Sequence, residues 1–126
     1  MNKIIKVMLV DDITSIRNYL HLLLKDVPCI EVIAEAENGK IAIELLHEYK
    51  ILPDIIIMDV NMPVMNGIDS TQYITSVFQS IKVIAFTSSN DNDTIRSILN
   101  AGASAHLVKG CSFKDIISTI LTVAQE

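Results

Sequence analysis

No stretch of this 126-residue chain is apolar for long enough to cross a bilayer. Half of its residues are hydrophobic, but they fall in short runs, well below the roughly 20 residues that a spanning helix needs. No secretory leader is expected either. The opening MNKIIKVMLVDD carries two lysines and a short apolar run, then meets acids at once, with no small-residue cleavage site; it reads as a first strand, and a cytoplasmic protein is expected. Basic clusters are also absent. Ten Lys and Arg against fifteen Asp and Glu give a net charge of -5, and nothing forms the Lys/Arg stripe that phosphate backbones require, which argues against direct nucleic-acid binding by this segment. The only cysteines, Cys29 and Cys111, have neither C-x-x-C nor Cys/His spacing, so free, partly buried thiols are expected and not a metal or redox centre. With no low-complexity stretch and no Pro/Gly-rich linker, residues 1–126 are expected to form one domain with its own core.

What is present is a regular alternation. Lys6 to Val10 is a short apolar, β-branched run that ends on Asp11 and Asp12, and Ile16, Leu20, Leu23, Leu24 and Val27 then follow at helical spacing until Pro28 stops them. Glu31 to Ala36 is a more polar strand. Asn38 is a natural N-cap for a helix with Ile41, Ala42, Leu45, Leu46 and Tyr49 inward. Ile55 to Met58 is apolar without alternation, the pattern of a strand covered on both faces, and it ends on Asp59. Ile68, Ile74, Val77 and Phe78 mark a third helix, expected to start near Asn66 or Gly67. Lys82 to Phe86 forms the fourth strand and leads into Thr87, Ser88 and Ser89. Asn90 to Asp93 cap and charge-complement a helix bearing Ile95, Ile98 and Leu99, with Gly102 at its C-terminal end. Ser104 to Lys109 is the fifth strand, and Ser112 with Asp115 resembles a capping box ahead of Phe113, Ile116, Ile117, Ile120, Leu121 and Val123.

Five βα repeats with short loops predict an α/β fold, a doubly wound five-stranded parallel sheet. The first, third and fourth strands are nearly all apolar and suit the interior, while the second and fifth suit edges; this is compatible with the flavodoxin-like order 2-1-3-4-5. In that order Asp11, Asp12 and Asp59 meet at one edge of the sheet. Three carboxylates gathered there repel one another by about 4 kcal/mol per pair at 4 Å for an effective dielectric of ~20. Raised pKa values or a hard divalent cation must offset this, and an all-oxygen set with open positions favours Mg²⁺. A carboxylate beside Mg²⁺ can attack phosphorus and form an aspartyl phosphate. Lys109 would add a cation and Thr87 a hydroxyl donor for the phosphoryl group, which carries roughly -1.5 to -2 charges.

The pair Asp11-Asp12, the run Asp59-Val60-Asn61-Met62-Pro63, Gly67, Thr87-Ser88, and Lys109 after Gly102-Ala103-Ser104-Ala105 together resemble the receiver domain of two-component response regulators, the CheY-like fold, across essentially the whole chain. The resemblance implies that Asp59 accepts a phosphoryl group from a sensor histidine kinase or phosphotransfer protein. It implies that Asp11, Asp12, Asp59 and the Asn61 main-chain carbonyl hold Mg²⁺, and that Thr87 and Lys109 bind and report the phosphoryl group. Self-dephosphorylation would be slow and tuned at Asn61 and Ser89. Output would leave through the fourth helix, fifth strand and fifth helix, with a homodimer as one form of output and no classical enzyme activity.

Two positions depart from the usual pattern. His106 stands where the family carries Tyr or Phe as a switch partner for Thr87. Gly110 follows Lys109 where many receivers have Pro, so no cis bond is expected there, since a cis non-proline peptide costs ~3 to 4 kcal/mol. The Lys-Gly pair is similar to receivers joined to LuxR or NarL type DNA-binding domains, which would make DNA contact the work of a separate effector domain.

Other readings compete. Asp11 and Asp12 read alone are helix caps, Thr87 a turn residue and Lys109 a solvated tip. His21 and His47 read as surface residues, His106 as a half-exposed strand histidine, and Met58, Met62 and Met65 as packing. A Mg²⁺-dependent phosphohydrolase of the haloacid dehalogenase type would want a second acid where Asn61 stands, because an amide cannot serve as the general acid. A receiver fold kept only as an interaction module would ignore phosphorylation altogether.

Overall fold

The computed structural model describes residues 3–50, 52–88 and 90–126. Its elements are β1 (Ile5–Val10), α1 (Thr14–Leu24), β2 (Ile30–Ala36), α2 (Gly39–Glu48), β3 (Ile55–Asp59), α3 (Gly67–Val77), β4 (Lys82–Thr87), α4 (Asn92–Asn100), β5 (Ala105–Val108) and α5 (Phe113–Ala124). All strands run parallel in the order β2-β1-β3-β4-β5, the order with which strand hydrophobicity is compatible. The tertiary arrangement follows from the burial of β3 on both faces. Ile55 and Ile57 point to one side, where Leu20 and Leu24 of α1 and Ile116, Ile120 and Val123 of α5 cover them. Ile56 and Met58 point to the other, beneath Ala42 and Leu46 of α2, Ile74 of α3 and Ile98 of α4. An unbroken apolar run is stable only where both pleat faces meet helices.

Local chemistry sets the helix starts. Asn38, Asn66, Asp91 and Ser112 each accept a backbone N–H three residues on, from Ile41, Asp69, Thr94 and Asp115, a bond whose loss typically costs ~1 kcal/mol. The start of α1 differs. Its N-cap is Ile13, with no side-chain cap, so the capping reading of Asp11 and Asp12 is not what the fold uses. α1 ends at Leu24 with Lys25 as its C-cap, short of Pro28; Val27 still packs on the core from beyond the helix.

Tyr49, expected to face inward, is exposed, and so are Val77, Leu99 and Phe113, which belong to the apolar patterns that mark their helices. Each lies at or beside a helix terminus, where a side chain has neighbours on one axial side only. The ladder between β1 and β2 slips between Val7 and Met8, which pair with Val32 and Ala34 and leave Ile33 as the extra residue of a bulge. Val32 therefore joins the α1/α5 core and Ala34 the opposite one, and Glu35, opposite Leu9, faces α1. No helix among the described residues is long and apolar enough to cross a membrane.

Candidate functional site

The C-terminal tips of β1, β3, β4 and β5 converge. Asp11 follows β1 and is 2 % exposed; Asp59 ends β3 and is 4 % exposed; Thr87 ends β4 and is equally buried. Asp12 is exposed and opens the group to solvent. One carboxylate oxygen from each of Asp11, Asp12 and Asp59 lies within 4.8 Å of the others. Lys109, just past β5, bridges two of them, with its Nζ 3.0 Å from Asp11 Oδ2 and 3.3 Å from Asp59 Oδ1. Its own position is set by the sheet: the Lys109 N–H donates to the Thr87 carbonyl at 2.8 Å, which extends the β4–β5 ladder one step past β5. Asp11 is held from the other side, its N–H donating to the Ala36 carbonyl at 3.1 Å and its Oδ1 accepting the Ile13 N–H at 2.9 Å.

The loop after β3 returns sharply. The Gly67 N–H donates to the Val60 carbonyl at 2.8 Å, and a Cβ on Gly67 would lie 2.0 Å from the Asp59 carbonyl oxygen. Glycine at 67 thus lets α3 begin directly against the strand that carries Asp59. Asn61 sits exposed in this loop, two residues past Asp59. Val64, also in the loop, has φ +71, a left-handed backbone that strains a β-branched residue.

The electrostatics follow from burial among like charges. Loss of solvation pushes the Asp59 carboxyl up from an ordinary 3.8 to about 6; the Asp11 charge and a hydrogen bond with Asp12 push the same way, and Lys109 pulls back. Burial disfavours the Lys109 ammonium, but its bond to Asp11 and the charges of Asp59 and Asp11 outweigh that and hold its pKa above the ordinary value. One cation cannot neutralise three carboxylates. Asp11 Oδ2 is buried and accepts no well-directed hydrogen bond among the described residues; the Lys109 ammonium compensates it by charge, an attraction that needs no angular alignment. An all-oxygen donor set with a buried, underused carboxylate oxygen and one solvent-facing acid fits a hydrated hard cation of the Mg²⁺ type, which binds through one or two carboxylates and keeps several waters.

Of the residues singled out from sequence, Asp11, Asp12, Asp59 and Lys109 come together in one cluster. Thr87 stands beside them at the tip of β4, one step beyond Phe86, which pairs with Asp59. His106 lies opposite Ala85, on the sheet face shared with Thr87 and turned towards α4. Ser89 falls outside the described residues. Gly110 has φ +98, which explains glycine there, and no cis peptide occurs among the described residues. His47 faces Tyr73, its Nε2 2.8 Å from the hydroxyl, and His21 faces Glu35; both lie away from the acids. Cys29 and Cys111 are free, half-buried thiols, and burial raises the Cys111 pKa. Met58 and Met62 are core residues. A concavity of about 580 Å³ lined by Lys3, Asp54 and Lys82 lies at the opposite end of the sheet, where the strands begin, and gathers no such acid cluster.

Sequence reasoning missed Arg17. Its Nη1 donates to the Asp11 carbonyl at 2.5 Å, and its Nε pairs with Glu35 at 3.2 Å. No periodicity or spacing signals a contact from the first turn of a helix back to the loop before it.

The family described as the response regulator receiver domain matches residues 7–121. Among characterised relatives, the chain is 40 % identical over 119 residues to the transcriptional regulatory protein LnrK of Bacillus subtilis, covering 94 % of this chain and 53 % of that protein. It is 36 % identical over 116 residues to LiaR of the same organism, covering 92 % and 54 %. The chain thus spans about half the length of these relatives. Among solved structures, the response regulator domain of Thermotoga maritima CheB superposes with a TM-score of 0.86 at 27 % identity over 98 % of both chains. The receiver domain of NarL from Mycobacterium tuberculosis superposes with a TM-score of 0.90 at 24 % identity, also over 98 % of both, a likeness of fold.

Proposed function

This chain belongs to the response regulator receiver domains of two-component systems, and on that footing we propose that it is a phosphorylation switch, spanning residues 1–126, with Asp59 as phosphoacceptor. The observation that carries the proposal is the Lys109 ammonium set between Asp11 and Asp59, 3.0 and 3.3 Å away, at the edge of a three-carboxylate cluster. Acids alone would expel a phosphoryl group; acids with Lys109 and a divalent cation retain it.

Asp11, Asp12, Asp59 and the Asn61 main-chain carbonyl would hold Mg²⁺, directly or through water. When bound, Mg²⁺ supplies Lewis-acid neutralisation of the phosphoryl oxygens. An Asp59 carboxylate oxygen attacks the phosphorus of a phosphohistidine on the kinase or phosphotransfer protein. The P–N bond breaks as the new P–O bond forms, the imidazole leaves and takes a proton from solvent, and Asp59 becomes an acyl phosphate. Lys109 exchanges its carboxylate partner for a phosphoryl oxygen, and the Thr87 hydroxyl donates to another. Because the Lys109 N–H is bonded to the Thr87 carbonyl, a shift of either reaches β5 and His106, and from there the surface of α4, β5 and α5. LnrK and LiaR are transcriptional regulatory proteins, so gene regulation is the output we assign, with DNA contact made outside this segment.

Incubation with Mg²⁺ and a small-molecule phosphodonor, followed by intact-mass measurement, tests the proposal. Wild type gains one phosphoryl group and Asp59→Asn gains none. No gain in wild type, or the same gain in both, overturns it.

A further inference from the structure

We infer that Arg17 is a positioning residue for the cation side of this site, holding the Asp11–Asp12 peptide so that both carboxylates point at Asp59. The inference rests on the reading of Asp59 as a Mg²⁺-dependent phosphoacceptor and adds a residue that reading does not use.

Three nitrogens of the Arg17 guanidinium are committed to three places. Nη1 donates to the Asp11 carbonyl at 2.5 Å, Nε to Glu35 Oε1 at 3.2 Å, and Nη2 to Thr14 Oγ1 at 3.4 Å. The side chain is only 15 % exposed. A planar, rigid fork tied at three points has one orientation. The carbonyl it grips belongs to the peptide that joins Asp11 to Asp12. Each other polar group of Asp11 has its own partner: the N–H at Ala36, Oδ1 at Ile13, Oδ2 at Lys109. Arg17 takes the remaining one, and the exposed Asp12 inherits its direction from that same peptide.

The anchor on the far side is itself a product of the fold. Without the extra residue at Ile33, the alternation of β2 would turn Glu35 to the other face of the sheet. With it, Glu35 lies opposite Leu9 on the α1 side and meets Arg17. The bulge at the sheet edge therefore braces the acid pair.

Charge and positioning make opposite predictions. As a cation near the site, Arg17 repels a divalent ion, so by charge alone its removal tightens Mg²⁺ binding. As a brace its removal weakens binding, on the order of 10-fold, the usual scale for a residue that orients metal ligands. Calorimetric titration of Mg²⁺ into wild type, Arg17→Ala and Arg17→Lys at fixed ionic strength separates the two, with urea stability of each measured in chelator. Weaker binding by Arg17→Ala, and by a smaller factor by the charge-conserving Arg17→Lys, supports the inference. Affinity equal to or tighter than wild type in Arg17→Ala overturns it, even where that variant is less stable in chelator. Should Arg17→Ala fail to fold, Arg17→Lys decides alone, since lysine keeps the charge and loses the fork: unchanged affinity overturns the inference. Wild type that binds no Mg²⁺ would overturn the phosphoacceptor reading as well, an outcome distinct from a wild type that binds and an Arg17→Ala that matches it.

Discussion

Replacing Asp59 by Asn is expected to stabilise the cation-free protein, by an amount that depends on pH. The folded state raises the Asp59 carboxyl from 3.8 to about 6, so it prefers the protonated acid. Between those values the folded state binds more protons than the unfolded one, and stability falls as pH rises. The stabilising preference is complete below about pH 4 and is lost by the time the pH has passed 6. At ~1.4 kcal/mol per tenfold change in proton affinity, the ionised carboxylate at pH 7.5 costs about 3 kcal/mol relative to an unperturbed one. Asparagine, close in shape to the protonated acid, carries no such cost. The assay is urea denaturation of wild type and Asp59→Asn in chelator from pH 4 to 8. Taking the difference between the two proteins cancels the titrating groups that lie away from Asp59. That difference should be near zero at pH 4 and grow to about 3 kcal/mol in favour of Asp59→Asn by pH 7.5, on the order of 10 °C in Tm for a chain of this size. A difference that stays flat across the range, or that moves in favour of wild type as pH rises, refutes the account of buried, mutually repelling acids. Saturating Mg²⁺ should then shrink the gap, because a ligand that binds only the folded state adds RT ln(1 + [L]/Kd) to wild type.

Three further outcomes follow from the packing. Val64→Gly should stabilise by about 1 kcal/mol in urea denaturation, since Val64 is 76 % exposed and held at φ +71; a loss of stability would show that the left-handed backbone is not strained. Thr71→Val should also stabilise by about 1 kcal/mol, because the Thr71 hydroxyl is wholly buried with no hydrogen-bond partner among the described residues; destabilisation would reveal a partner for it. Gly67→Ala should cost about 3 kcal/mol, as its Cβ would lie 2.0 Å from the Asp59 carbonyl oxygen and 2.8 Å from Val60 Cα, both backbone atoms that cannot swing aside; a cost below about 0.5 kcal/mol would mean that the β3–α3 junction yields freely.

Much of the architecture was legible in the residues. The apolar run at Ile55 to Met58 requires cover on both pleat faces, which places β3 inside a sheet sandwiched between two layers of helices, and the polar residues of Glu31 to Ala36 send that strand to an edge. Asn38, Asn66, Asp91 and Ser112 mark helix starts because the cap is a local bond made within three residues. Errors fell where local periodicity stops being a guide. Tyr49, Val77, Leu99 and Phe113 keep the apolar character of a stripe but lie at helix ends, where there is less to pack against. Asp11 and Asp12 read alone have the chemistry of caps, but Asp59 and Lys109 outweigh that reading, and Asp11 Oδ1 turns to the Ile13 N–H and Oδ2 to Lys109.

The acids, Thr87 and Lys109 could be named from sequence because strand-end residues are a local property, and a parallel sheet puts all such ends on one rim. What the chain order cannot specify is how those residues touch. The bridge from Lys109 to both Asp11 and Asp59, the lifted pKa of Asp59, the bulge at Ile33 and the grip of Arg17 on the Asp11 carbonyl each depend on distances between segments far apart along the chain or on backbone turned against its local preference. Sequence by itself determined the parts and the rim on which they meet; the tertiary structure decided which charges face one another, and at what separation, because Coulombic and hydrogen-bond energies depend on distance and angle and not on residue type alone.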